Sequence, residues 1–236
     1  MKNKPFRFKQ FEIYQDQTAM KVGTDGVLLG AWANLESGIN ILDVGTGTGL
    51  ISLMLAQRFE NAIVDAVEID LEAYKQAQEN FKQSNFSSRI SISHTSFQQF
   101  YSTIKYDLIV SNPPFFVSND RVESDARKIA RQQETLTFSN LLTCTSNLLN
   151  KNGLACFIIP FELESNFLAI AKENNLYPRK IMHVKGNQEA QVKRSLIELS
   201  FDQAYNLQKD ELVIEIARHQ YTDDYIDLTK DFYLKM

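Results

Sequence analysis

The chain has 236 residues, 44% hydrophobic, 11% aromatic and 23% charged, with two cysteines and a formal net charge of −4. This balance excludes collagen-like, disordered and disulfide-framework proteins. With 25 basic against 29 acidic residues, it also excludes a protein that coats nucleic acid with overall positive charge. No apolar run approaches the roughly 18 residues of a membrane span. The opening MKNKPFRFKQF lacks the apolar stretch of a secretory signal, so a cytoplasmic location without membrane contact is expected. Cys144 and Cys156 sit in apolar surroundings and read as small core residues; the histidines lack metal-ligand spacing, and no metal is expected.

In chain order, residues 1–38 read as an N-terminal extension and residues 39–236 as the core of a single domain. Short apolar runs predict strands over Ile39–Val44, Ala62–Ile69, Ile90–Ser93, Tyr106–Ser111 and Leu154–Ile159. Helical spacing predicts Gly49–Phe59, Leu71–Ser84 (with Ala73, Ala77 and Phe81 on one side) and Phe138–Leu149. Such alternation means an α/β fold, with a mainly parallel sheet covered by helices on both faces. Lys180–Val184 and Ser195–Phe201 read as strands without a full helix between them, expected to pair antiparallel at the sheet edge. Leu212–Ala217 predicts a further short strand and Tyr225–Leu234 a terminal helix.

In open α/β sheets, ligands bind beyond the carboxyl ends of the strands. After the first predicted strand comes Asp43-Val44-Gly45-Thr46-Gly47-Thr48-Gly49, entering a helix. Glycines there let backbone approach a ligand, with helix-terminal amides directed at it. The dinucleotide fingerprint is G-x-G-x-x-G; here the spacing is G-x-G-x-G, with an acid two residues before the first glycine. A carboxylate repels a pyrophosphate and favours a ligand carrying ammonium and sulfonium centres, which points to S-adenosylmethionine rather than NAD. Glu68 ends the second strand, where an acid accepts hydrogen bonds from ribose hydroxyls.

The strand Tyr106–Ser111 runs directly into Asn112-Pro113-Pro114-Phe115. Two prolines stiffen this corner, which presents the Asn112 amide, the Pro113 carbonyl and an aromatic face. An exocyclic amine on a planar ring is a poor nucleophile because its lone pair is delocalised. Two acceptors, the Asn112 side-chain oxygen and the Pro113 carbonyl, hold its two hydrogens and favour pyramidalisation, while Phe115 stacks on the ring. The corner alone serves adenine, guanine or a protein glutamine.

Together, Asp43–Gly49, Glu68 and Asn112–Phe115 resemble class I S-adenosylmethionine-dependent methyltransferases with an Asn-Pro-Pro-aromatic motif. Phe6–Phe11, the stretch Lys21–Trp32, Arg127–Leu142 and Phe232–Leu234 further resemble the bacterial tRNA1(Val) adenine N6-methyltransferases, which modify the purine 3′ of the anticodon. The resemblance implies a Rossmann-like, mainly parallel seven-stranded sheet with an antiparallel edge strand. It implies a tRNA partner, with Lys21, Thr24 and Asp25 at the cofactor's methionine end. Gly45, Thr46, Gly47 and Gly49 would then form its cradle, and Glu68 would hold its ribose. One departure is Ser96, in His94-Thr95-Ser96-Phe97, where such enzymes carry an acid facing the adenine amine; a hydroxyl accepts a weaker, neutral hydrogen bond. Another is Phe115, where many relatives have Tyr.

Basic clusters carry the expected RNA contacts. Arg121, Arg127, Lys128 and Arg131 follow the catalytic corner directly and are placed to grip phosphates around an everted base. Lys193 and Arg194 open a late strand and are expected on the same rim. Lys2, Lys4, Arg7 and Lys9 precede the first acid, Glu12, beside Phe6, Phe8 and Phe11, which either stack on bases or pack an extended arm onto the domain.

Overall fold

A computed structural model of the chain describes residues 4–16, 21–36, 38–114, 136–203 and 206–235. The strands are β1 (Phe6–Arg7), β2 (Glu12–Ile13), β3 (Asn40–Val44), β4 (Ile63–Glu68), β5 (Ile90–His94) and β6 (Tyr106–Ser111). They continue as β7 (Leu149–Pro160), β8 (Tyr177–Asn187), β9 (Arg194–Ser200), β10 (Gln208–Ala217) and β11 (Gln220–Tyr221). The helices are α1 (Thr24–Trp32), α2 (Leu50–Arg58), α3 (Leu71–Gln83), α4 (Phe138–Leu148), α5 (Glu164–Glu173) and α6 (Asp223–Thr229).

Among the described residues, β3 to β11 form one sheet in the order β11-β10-β8-β9-β7-β6-β3-β4-β5. The chain runs outward from β3 through β4 to β5, then returns to the other side of β3 as β6, pairing parallel throughout. The strand order therefore reverses between β3 and β6, which opens a crevice at their carboxyl ends. The α/β architecture is the one expected, but the strand count and the sheet edge are corrected. β9 does pair antiparallel, with both β7 and β8. It lies inside the sheet, because β10 adds parallel to β8 and β11 closes antiparallel onto β10. Gln208–Ala217 supplies the ladder that the eleven-residue β8 would otherwise leave unpaired.

The strands are apolar on both faces because helices cover both. Ile41, Leu108, Val110 and Ile158 face a core shared with α1, α2 and α3, while Leu42, Ile109, Phe157 and Ile159 face one shared with α4 and α5. Cys156 is fully buried, and burial pushes its thiol well above the ordinary range, as a core residue requires.

The N-terminal arm packs onto the domain. Phe8 stacks on Phe11 at 4.8 Å and on Tyr233 at 5.8 Å, and the Lys9 amide donates to the Phe232 carbonyl at 2.8 Å. Phe8 and Phe11 are buried, so these rings serve the arm's packing and are closed to bases. The terminal helix is shorter than expected: Thr222 caps it by accepting from the Tyr225 amide, and it ends at Thr229 so that Tyr233 can bridge to Phe8. Among the described residues, no helix is long and apolar enough to cross a membrane.

Candidate active site

The glycine loop is built from below. Asp43, the penultimate residue of β3, is fully buried, and its Oδ2 accepts from the hydroxyls of Thr46 and Ser52, both at 2.6 Å, and from the Ser52 amide at 3.1 Å. Burial pushes its carboxyl up to about 6, against the lowering effect of those hydrogen bonds. The loop above it holds Gly45, Gly47 and Gly49 at φ of 69°, 58° and 86°, a region L side chains rarely adopt. The two roles of these glycines differ. A Cβ at Gly45 or Gly47 would project into empty space, whereas one at Gly49 would lie 2.3 Å from the Phe81 ring. Gly49 thus lets α2 pack on α3, while Gly45 and Gly47 leave the backbone bare toward the crevice.

Glu68, buried at the end of β4, ties the neighbouring wall to this loop. Its Oε2 accepts from the Gly47 amide at 2.8 Å, and its Oε1 from the amides of Ile69 and Asp70 at 2.9 and 2.8 Å. On the other side, the Ser111 hydroxyl donates to the Val44 carbonyl at 2.8 Å. That bond fixes the end of β6, and with it the start of the Asn-Pro-Pro corner, against the end of β3.

These elements enclose a cavity of about 870 Å³. Of the expected site residues, Lys21, Thr24, Asp25, Gly45, Thr46, Gly47, Glu68, Ser96, Asn112 and Pro114 border it together. Asp43, Gly49 and Pro113 do not border it. Asp43, expected beside a cationic ligand, instead stands behind the loop and holds Thr46 and Ser52, because a strand residue pointing into the sheet's face is sealed by the helix that follows. Phe115, Arg121, Arg127, Lys128 and Arg131 lie outside the described residues.

Lys193 is exposed at the head of β9, and no ion pair of its side chain is found among the described residues. Arg194 is committed elsewhere: its Nε lies 2.7 Å from Asp25 Oδ2, so it braces α1 at the cavity rim rather than standing open to RNA. Lys185 pairs with Glu211 at 2.9 Å. Among the described residues, no cluster of His, Cys, Asp or Glu is placed to hold a metal ion.

Two lining residues escape a reading by motif. Ile69 lays an apolar side chain, 49% exposed, along the wall after Glu68. Gln98 borders the cavity beyond Ser96, and its Nε2 is buried with no hydrogen-bond partner among the described residues. Turning that amide by half a rotation brings its oxygen to the same place. The missing acid has a neighbour able to accept from an amine. No sequence motif marks it, because its position depends on the short 3-10 turn Phe97–Gln99.

S-adenosylmethionine fits what is present. The bare glycine backbone would take its chain, and Glu68, with a lone pair on Oε2 left over from the Gly47 amide, would take ribose hydroxyls. The apolar side chain of Ile69 would face the purine, and the N-terminus of α1 beside Lys21 would face a carboxylate.

The comparisons agree with this geometry. Residues 20–158 match the family model described as "Methyltransferase small domain". A solved structure described as a predicted O-methyltransferase, protein Atu636, from Agrobacterium tumefaciens has a TM-score of 0.70 at 17% identity, over 88% of this chain and 96% of that one. A TehB-like SAM-dependent methyltransferase from Corynebacterium glutamicum has a TM-score of 0.51 at 15% identity, over 77% and 89%. Fold and site together define a class I methyltransferase, whose methyl donor is S-adenosylmethionine. Similarity to curated proteins is finer. A tRNA1(Val) (adenine(37)-N6)-methyltransferase from Flavobacterium johnsoniae is 49% identical over 98% of this chain and 100% of its own length. One from Parabacteroides distasonis is 47% identical over 100% of both. The chain belongs to the tRNA1(Val) (adenine(37)-N6)-methyltransferase family.

Proposed function

We propose that the protein methylates the exocyclic N6 of adenine 37 in tRNA1(Val), beside the anticodon, in the cytoplasm. One observation carries this reading: the glycine loop and Glu68 border the same cavity as Asn112 and Pro114. The donor's pocket and the amine-holding corner are therefore one space.

S-adenosylmethionine supplies an electrophilic methyl carbon on a cationic sulfur. Everything else falls to the chain. Glu68 and the Gly45–Gly47 backbone hold the ribose and the chain next to it. Gln98 accepts from the donor's purine amine where Ser96 replaces an acid. Lys21 and the first amides of α1 neutralise the donor's carboxylate, and Asp25, braced by Arg194, borders its ammonium group. Asn112, half-buried at the carboxyl end of β6, accepts one amine hydrogen of the target adenine, and the carbonyl of Pro113, which joins the lining residues Asn112 and Pro114 though its own side chain turns away from the cavity, accepts the other. Both contacts draw the nitrogen lone pair out of conjugation toward the methyl carbon, and the methylated amine, cationic and strongly acidic, gives its surplus proton to water without a strong base. Phe115 stacks on the target ring. The basic residues Arg121, Arg127, Lys128 and Arg131, with Lys193, hold phosphates of the everted anticodon loop.

The test is incubation with labelled donor and an unmodified tRNA1(Val) transcript, followed by nucleoside analysis. N6-methyladenosine is expected at position 37, and none in a transcript carrying guanine there. Asn112→Ala should lower the single-turnover rate on the order of a hundredfold or more while leaving tRNA binding within a few-fold. Label in guanine, or an Asn112→Ala rate close to wild type, overturns the proposal.

A further inference from the structure

Phe161 is an aromatic side chain that the proposed chemistry does not use and that belongs to neither hydrophobic core. It follows Pro160 at the carboxyl end of β7 and is 41% exposed. The only other large aromatic with comparable exposure among the described residues, Tyr101, precedes β6 and so lies at the amino end of the sheet.

The register fixes where Phe161 stands. Ser111 pairs with Phe157, the last pair of the β6–β7 ladder, and β7 runs on through Ile158, Ile159 and Pro160 past the end of β6. Phe161 therefore stands roughly 13 Å beyond the level of Ser111, at about 3.3 Å per strand residue. Pro160 pairs in turn with Arg194, whose guanidinium holds Asp25 on the cavity wall. The ring thus stands at the carboxyl end of the sheet, the end at which the cavity opens, turned across β9 toward His183 of β8.

Its orientation is set as well as its place. The Phe161 amide donates to the Lys193 carbonyl at 3.1 Å. The ring meets His183 edge-on, with centroids 5.0 Å apart and planes at 84°. His183 is itself held by Glu164 at 2.7 Å, and the same carboxylate oxygen accepts from the buried Ser195 hydroxyl. A ring braced by a partly buried polar cluster yet open to solvent has already lost much of its conformational freedom. It can take a flat partner at little further entropic cost.

We infer that Phe161 is a stacking platform for a nucleobase flanking the flipped adenine, with Lys193 beside it for the adjoining phosphate. This rests on the proposed function and extends it. Everting one base from the anticodon loop unstacks its neighbours, and an aromatic ring at the cavity's end of the sheet recovers that stacking. A strand-end lysine adjoining an exposed ring is the pairing that single-stranded nucleic acid uses.

Binding of the tRNA1(Val) transcript to wild type, Phe161→Ala, Phe161→Trp and Lys193→Ala, with donor binding measured in parallel, tests this. Phe161→Ala should weaken RNA binding on the order of tenfold and leave donor affinity unchanged, while Phe161→Trp should bind RNA as wild type does. Undiminished RNA binding by Phe161→Ala overturns the inference. So does a Phe161→Trp protein as weak as the alanine variant, or equal loss of donor and RNA binding. Wild-type protein that leaves adenine 37 unmethylated overturns the function itself. Wild type that methylates it while Phe161→Ala binds normally overturns only the platform.

Discussion

The backbone amide of Gly47 donates to Oε2 of Glu68 at 2.8 Å, so the glycine loop and the acid ending β4 form one structural unit. With the Ile69 and Asp70 amides on Oε1, this carboxylate already satisfies three backbone donors before any ribose arrives. Removing it should therefore affect both the empty protein and donor binding. Glu68→Ala is expected to lower donor affinity on the order of a hundredfold by calorimetry and to cost about 1–3 kcal/mol of stability. Glu68→Gln, which keeps one acceptor oxygen and loses the charge, should fall between. Donor binding by Glu68→Ala as tight as wild type would remove Glu68 from the site.

Asp43 gives the fold a pH signature. Its buried carboxyl is raised from 3.8 to about 6, so the folded protein keeps this proton to a higher pH than the unfolded chain does. Stability from this group is greatest below about pH 4 and declines as the pH rises to about 6, by at most about 3 kcal/mol. Asn at this position does not titrate and keeps an oxygen for Thr46 and Ser52. Urea unfolding of wild type and Asp43→Asn at several values from pH 4 to pH 7 should therefore diverge, with the variant gaining relative stability as the pH rises. Parallel pH profiles would show that the carboxyl does not carry the raised value.

Gln98 is expected to stand in for the acid absent at Ser96. Gln98→Ala should weaken donor binding several-fold, the worth of one neutral hydrogen bond at about 1 kcal/mol. Gln98→Glu should tighten it, because a charged acceptor is about twice as strong toward an amine. An analogue lacking the purine amine should bind all three proteins alike. Should the analogue discriminate among them, Gln98 acts on some other part of the donor.

What was legible in the sequence follows from how local its cause is. The Gly45–Gly49 loop could be read because positive φ at three positions demands glycine, and the Asn112–Pro114 corner because proline writes its backbone into the sequence. β3, β6 and the second half of β7 were legible because a doubly covered strand is a mostly apolar run, and the edge strand β5 because Ile90 and Ile92 alternate with serines. The side of the loop on which Asp43 stands was not, since an acid before a glycine turn reads the same whether it faces ligand or braces the helix. Arg194 looked like an RNA contact because its partner Asp25 lies 169 positions away in sequence. The interior place of β9 was hidden too: Leu212–Ala217 reads as a strand, but nothing local in it tells that it pairs parallel with β8 and extends the sheet.

The salt dependence of tRNA binding separates a lysine that meets phosphate from one that does not. With a net charge of −4, the protein must draw RNA affinity from a few local contacts. Lys193 stands exposed beside Phe161 without an ion-pair partner among the described residues, whereas Lys185 is held by Glu211 at 2.9 Å. Each phosphate contact on a single strand contributes about 0.7 to the slope of log affinity against log salt. Lys193→Ala should therefore flatten that slope by about 0.7, and Lys185→Ala should leave it nearly unchanged because its charge is already answered within the protein. Equal slopes for Lys193→Ala and wild type would place the phosphate elsewhere, and a flatter slope for Lys185→Ala would show that Glu211 gives up its partner when RNA binds.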